Sequence, residues 1–132
     1  MTQVKVYGLK EHLCQVRETL GDAIHRSLMH ALQLPEGKRF QRFISLSRQE
    51  FIFPPDRSSR YTIVELSMFE GRSEEVRRSL ISTLFAEIEA AVGISAQDLE
   101  LTIFETPRCN WGIRGENAAD LTLTYPINRD SP

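Results

Sequence analysis

The chain has 132 residues, which suits a single domain that buries its own core without disulfides or metals. Its composition is 41% hydrophobic and 26% charged with a formal net charge of −2, so it lacks the basic footprint of a nucleic-acid-binding protein. No apolar run reaches the roughly 18 residues of a membrane span, and the alternating start MTQVKVYG lacks the apolar core of a signal peptide. A cytoplasmic protein is therefore expected.

Charge is distributed unevenly along the chain. Residues 1–60 hold ten Lys and Arg against six Asp and Glu, whereas residues 61–132 hold six against twelve. The run KRFQR (38–42) could contact nucleic acid, but a basic half that meets an acidic half within the fold or an oligomer explains the same asymmetry. The acidic overall balance favours the second explanation, so neither a nucleic-acid nor a membrane partner is predicted.

The first predicted elements are strand, helix and strand. QVKVYGL (3–9) is short, largely alternating and rich in β-branched residues, which predicts a strand. Apolar side chains then recur at the spacing of one helical face. They are Leu13, Val16, Leu20, Ile24, Leu28 and Ala31. FQRFISL (40–46) predicts the second strand, and FIFPPDRSSR (51–60), with its adjacent prolines, predicts a connector.

The same order follows in the second half. TIVELSMF (62–69) predicts a strand, and Ser73 is a natural N-cap for a helix whose first turn carries Glu74 and Glu75. Gly93 stands where a left-handed residue would end that helix. DLELTIF (98–104) predicts the last long strand.

Positions sixty residues apart match along both halves. Identical pairs include Val4 with Val64 and Leu20 with Leu80, so one β-α-β unit is used twice. We predict one domain with units at about 1–50 and 61–105 and a C-terminal extension at 106–132. Right-handed crossovers place both helices on one face of a four-stranded mixed sheet, an α+β fold. The other sheet face then needs cover, which we expect from other subunits.

Other chemistries find little support in the residue pattern. Cys109 would need a nearby base to act as a nucleophile, yet all three histidines lie on or next to the first helix. His25 and His30 are five residues apart, a spacing that does not stack two metal ligands on one helical face. The two cysteines also lack metal-ligand spacing. No metal or cofactor is expected.

Several motifs together resemble those of a known family. FEGRSEE (69–75), GIS-x-x-D (93–98) and NWG (110–112), with RFQRF (39–43) and FIFPPD (51–56), are similar to the tautomerase superfamily. Within it they resemble the long-chain bacterial branch related to malonate semialdehyde decarboxylase and 4-oxalocrotonate tautomerase. The resemblance implies two β-α-β units, a homotrimer, and isomerase or decarboxylase chemistry on small 2-oxo or enol acids. It also implies an N-terminal proline, exposed by removal of the initiator methionine, as the catalytic base or acid.

That proline is absent from this chain. The sixty-residue register places its position at Thr2, and no proline precedes Pro35. If Met1 is removed, Thr2 carries a primary α-amine with an ordinary pKa of roughly 7.7–8.0, which could serve as a base or form an imine. Alternatively, Thr2 is only the first residue of an edge or interface strand.

The resemblance also assigns the substrate-binding positions. Arg72 matches one arginine that binds the substrate carboxylate, while Glu70 stands where the decarboxylase has a second and Lys38 falls at or near its acidic residue. Losing one arginine to glutamate should weaken dicarboxylate binding. Arginines that could compensate are Arg39, Arg42 and Arg114. Arg72 could instead be an ion-paired residue at the helix start.

Trp111 and Ile113 match the family's hydrophobic wall beside the amine. Such a wall would lower the pKa of the amine and exclude water. A tryptophan covering the sheet end or a subunit contact explains Trp111 equally well. Two functions therefore remain open: an enzyme of weak or altered activity, or a non-catalytic trimer that binds a small carboxylate or a protein partner.

Overall fold

The computed structural model describes residues 1–123 of the chain. Its main sheet has the order β2-β1-β3-β4, formed by β1 (Thr2–Leu9), β2 (Phe40–Leu46), β3 (Thr62–Phe69) and β4 (Leu99–Thr106). The inner strands β1 and β3 pair antiparallel, and each outer strand runs parallel to its inner neighbour. The two β-α-β units and the mixed sheet predicted from the sequence are confirmed.

Both crossover helices pack on one face of this sheet. They are α1 (Lys10–Leu32) and α2 (Glu74–Val92). Alternate strand residues meet their apolar faces in a single core, in which Val6, Val64, Leu20 and Leu84 are all completely buried. Alternation with period two in the strands and spacing near 3.6 in the helices is what directs these side chains to one interior.

The ends of α2 lie where the sequence predicts them. Ser73 is the N-cap, and its side chain accepts a hydrogen bond of 3.2 Å from the backbone N–H of Val76. Gly93 is the left-handed C-cap at φ 73°. By contrast α1 begins at Lys10 directly after β1, three residues before Leu13, the first residue of its predicted apolar face, and no side chain caps it.

After β4 the chain folds back over the sheet end. A 3-10 turn at Arg108–Asn110 leads into a small hairpin, β5 (Gly112–Ile113) with β6 (Glu116–Asn117). Both residues of its turn, Arg114 and Gly115, have positive φ of 51° and 85°, as in the turns that suit right-twisted strands. A second 3-10 turn follows at Ala118–Asp120. Residues 124–132 of the predicted extension lie outside the described part.

Neither α1 nor α2 packs on the opposite face of the sheet, which we call the uncovered sheet face. Its most exposed large side chains are Phe40, 41% exposed, and Phe104, 48% exposed. Within residues 1–123, no helix is long and apolar enough to cross a membrane.

Candidate functional site at one end of the sheet

Strand directions bring four chain segments together at one end of the sheet. Because β1 and β2 both start there while β3 ends there, Thr2 pairs with Met68 and Gln3 with Phe40. The extension after β4 folds onto the same end. Together they enclose a cavity of about 140 Å³. Its lining residues are Met1, Lys38, Phe69, Ile113, Arg114, Leu121, Thr122 and Leu123.

The α-amine of Met1 is the most perturbed group of this site. Its pKa is lowered from 8.0 to about 5, chiefly by burial and then by the positive charges of Arg72, Lys38 and Arg108, in that order of size. Burial and like charge both disfavour the ammonium form. The amine is therefore largely unprotonated at neutral pH, which is the state that a base or nucleophile requires.

Arg72 is buried in the loop between β3 and α2. Gly71, at φ 128°, turns the chain there, and Arg72 is only 4% exposed. Neither Nη1 nor Nη2 has a hydrogen-bond partner among the described residues. Burial lowers the pKa of this guanidinium, against the opposing effect of Glu105. A buried cation with unsatisfied donors is costly on its own and is suited to receive an anion.

Two aromatic rings form the wall of the site. Phe69 is completely buried and meets Trp111 edge-to-face with 5.0 Å between ring centroids. The indole Nε1 of Trp111 donates to the Thr106 hydroxyl over 2.6 Å, which fixes the ring. Trp111 thus supports Phe69, and Phe69 itself lines the cavity.

The sequence-predicted residues separate into two groups. Lys38, Ile113 and Arg114 line the cavity, and Arg72 and Trp111 lie beside it. The remaining candidates are not among the residues that line it. Glu70 is exposed, Arg39 forms an ion pair of 2.9 Å with Asp22, and Arg42 is exposed on the uncovered sheet face.

Thr2 lies next to the amine as the first residue of β1. It is 1% exposed, and its Oγ1 has no hydrogen-bond partner within residues 1–123. With Met1 in place, the amine that faces the cations is that of Met1 rather than of Thr2.

Sequence reasoning missed several residues of this site. The sequence places Phe69 in a strand and in the FEGRSEE motif but predicts no role for it at the site, and it predicts none for Arg108 or residues 121–123. Phe69 ends β3 and lies two residues before Gly71 of the FEGRSEE motif, a position that could have indicated it. Arg108 and Leu121 carry no such signal, because only the folding back of the extension brings them to the cavity.

A larger and shallower groove lies between α2 and β4, with a volume of about 680 Å³. Its charged side chains already pair with one another: Arg78 with Glu74 at 2.8 Å, and Arg77 with Glu105 at 3.2 Å. The small cavity is therefore the better candidate for chemistry, because its cations have no carboxylate among the residues that line it.

Neither cysteine belongs to a second site. Cys14 and Cys109 are both exposed and unbonded to each other. Among the described residues, no group of three His, Cys, Asp or Glu side chains could hold a metal ion.

Comparison with known proteins agrees with this geometry. A family model described as tautomerase enzyme matches residues 38–114, more than half of the chain. The chain belongs to the tautomerase family. The match includes Lys38, Phe69, Arg72, Trp111 and Arg114 of the site but not the N-terminal residue.

Individual relatives support this membership. The 2-hydroxymuconate tautomerase of Comamonas testosteroni is 35% identical over 57 residues, which cover 43% of this chain and 90% of that protein. The enzyme of the same name from Pseudomonas putida is 32% identical over the same length. Among solved structures, a malonate semialdehyde decarboxylase has a TM-score of 0.79 at 22% identity and covers 91% of this chain and 99% of its own. This confirms the fold that the sequence motifs imply.

Proposed function

We propose that the protein is an isomerase of small 2-oxo or enol acids that uses its N-terminal amine as the base. The observation that carries this proposal is the amine with a pKa near 5, held in a cavity beside Lys38 and Arg72. Family membership supplies the reaction class, and the cations supply the preference for a carboxylate.

The cavity suggests how each group contributes to ketonisation of an enol acid. The substrate carboxylate binds at Arg72 and Lys38, where unpaired donors receive it. The unprotonated amine takes the proton of the 2-hydroxyl as the C2–O bond becomes a carbonyl, and the resulting ammonium protonates C3. Phe69 and Ile113 exclude water from the reacting carbons. Atoms and charges balance, and the amine returns to its starting state.

The amine belongs to Met1 in the described structure, and to Thr2 wherever Met1 has been removed. Removal would draw the amine back along β1 by about one residue, roughly 3.8 Å, towards a position that is already 1% exposed. The pocket would become larger and the amine more deeply buried. Either form presents a primary amine where the related enzymes are expected to present proline.

Intact mass identifies the N-terminal residue, and an assay with phenylenolpyruvate tests the proposal. We expect slow ketonisation by the wild type and a faster reaction by Thr2→Pro, with Met1 removed. Arg72→Met should reduce both rates. If only Thr2→Pro is active, the wild-type pocket can bind the substrate but its primary amine is not an effective base.

If wild type and Thr2→Pro are both inert, the enzyme proposal fails. A calorimetric titration with phenylpyruvate then tests the second function, a non-catalytic carboxylate-binding protein. The missing proline is the observation that favours this second function.

We also propose that the protein is a homotrimer. The uncovered sheet face with Phe40 and Phe104 supports an oligomer, because exposed apolar surface of this kind marks an interface. A fused 4-OT structure described as a symmetric trimer shares the fold, with a TM-score of 0.77 at 17% identity over 89% of this chain and 96% of its own. A cytoplasmic location stays a prediction of the sequence.

A further inference from the structure

Arg108 joins Phe69 to the chain segment that follows the small hairpin. Its Nη2 donates to the carbonyl oxygens of Ala118 at 2.8 Å and Leu121 at 2.6 Å. These carbonyls lie at the start of the last 3-10 turn and just after its end. On its other side, the guanidinium carbon of Arg108 lies 5.8 Å from the centroid of the Phe69 ring.

This placement couples the aromatic wall to residues 118–123, which we call the strap. Leu121, Thr122 and Leu123 of the strap line the same cavity as Phe69. The backbone N–H of Ala118 also bonds to the Trp111 carbonyl over 2.9 Å. Arg108 is thus the side chain that binds the strap to the wall, and its charge reaches the amine as well.

We propose that Arg108 is the positioning residue that closes the pocket, by holding the strap against Phe69 so that the N-terminal amine is kept out of water. A planar guanidinium suits this role. Its face can lie against an aromatic ring while its N–H groups, which lie in the guanidinium plane, donate to two carbonyls. This inference rests on the proposed function for its catalytic meaning, but the closure itself can be measured without any substrate.

Loss of Arg108 should act on the amine in two ways. The nearby positive charge disappears, and the strap no longer buries the amine. Both changes favour the ammonium form, so the pKa of the amine should rise from about 5 towards 8.0. Of the three positive charges that lower the pKa of the amine, that of Arg108 has the smallest effect. Burial has the largest effect on this pKa, and opening the strap would remove part of it.

The experiment combines trace labelling with acetic anhydride between pH 4 and 9 and hydrogen exchange of the strap amides. Arg108→Met should shift the labelling midpoint of the N-terminal peptide upwards by about one unit or more, and speed exchange at Ala118 and Leu121 at least tenfold. Arg108→Lys keeps the charge but cannot stack and donate in the same way, so exchange should still accelerate. Arg114→Met is the matched control, because it removes a charge from the same cavity and, within residues 1–123, no hydrogen bond joins the Arg114 side chain to the strap. The strap amides of this variant should stay protected.

Unchanged strap exchange in both Arg108 variants would overturn the inference, even if the labelling midpoint moves. So would an unchanged midpoint in Arg108→Met. Failure of the proposed function appears elsewhere, as wild-type inactivity towards phenylenolpyruvate with normal labelling and exchange behaviour.

Discussion

Arg72 is a residue at which stability and function are expected to conflict. Its terminal nitrogens are buried without hydrogen-bond partners in the described structure, and burial lowers its pKa. Burying a cation without hydrogen-bond partners costs stability, while the same unsatisfied donors are available to an entering carboxylate. A residue that binds substrate can therefore be replaced without loss of stability, whereas replacement of an ion-paired residue at the helix start would destabilise the fold.

We therefore predict that Arg72→Met leaves the free energy of unfolding unchanged or raises it by on the order of 1 kcal/mol, as apolar replacements of buried charges do. The same variant should weaken phenylpyruvate binding at least tenfold. Urea unfolding and calorimetric titration give the two values. Arg78→Met, which removes an exposed i,i+4 pair with Glu74, is the control and should change neither by much. A large loss of stability in Arg72→Met would instead indicate a structural ion pair.

The N-terminal amine makes stability depend on pH. Its folded pKa of about 5 lies below the unfolded value of 8.0, so between these values the unfolded chain binds more protons than the folded chain. The free energy of unfolding should then rise with pH across this window, by no more than about 1.4 kcal/mol per pH unit for one proton. His12, whose pKa is also lowered by burial, adds the same sign around and below its ordinary value of 6.5.

Urea unfolding of His12→Gln at several values between pH 6.5 and 8 isolates the contribution of the amine. We expect the free energy of unfolding to increase over this interval. A flat profile would mean that the amine is not buried in the folded protein.

At the scale of elements, the two units differ where their helices begin. Both helices end sixty residues apart, at Leu32 and Val92, but α1 has four more residues at its start than α2 has in the same register. In the second unit those positions form the loop of Gly71 and Arg72 instead of a helical turn. This loop is what allows Arg72 to lie beside the cavity, so the duplication has diverged at the site itself.

The N-cap of α2 should contribute measurably to stability. Ser73→Ala removes the acceptor of the Val76 N–H and should lower the free energy of unfolding by about 1 kcal/mol. Ser79→Ala is the control, because Ser79 is exposed within the same helix and alanine favours helix there. Chemical denaturation of both variants distinguishes a cap from a general effect of serine. Equal stability of the two variants would show that the cap contributes nothing.

Local patterns predicted the elements because strands and helices are encoded by the spacing of neighbouring residues. The β3 and β2 bounds, the Ser73 cap and the Gly93 cap follow from such spacing. The start of α1 does not, since Lys10–His12 carries no capping residue and helix formation there depends on packing. The role of Arg108 is likewise set by a fold-back that no local pattern encodes.

At the scale of the whole molecule, the two ends of the sheet have taken different roles. The register that relates the units places Tyr61, His12 and Asp98 at the positions equivalent to Met1, Arg72 and Lys38. Asp98 accepts hydrogen bonds from the backbone N–H of Ser58, at 2.8 Å, and from its hydroxyl. Burial, together with Glu100, raises the pKa of Tyr61 to about 12. The connector thus fills the second end, where Asp98 is hydrogen-bonded to Ser58, and the cavity with the N-terminal amine lies at the first end.

We predict that the uncovered sheet face forms the subunit interface of the assembled protein. Light scattering should give a mass of about 45 kDa, three times the 15.1 kDa of one chain, if the sheet faces meet in a closed trimer. Phe104→Asp introduces a charge at an apolar position of that face and should dissociate the assembly, because an unpaired charge is costly to bury in an interface. Ile52→Asp is the matched control: Ile52 is 88% exposed on the connector, outside the four strands of the sheet, and its variant should keep the trimer mass. A wild-type mass near 15 kDa, or dissociation by both substitutions alike, would show that this face is not the interface.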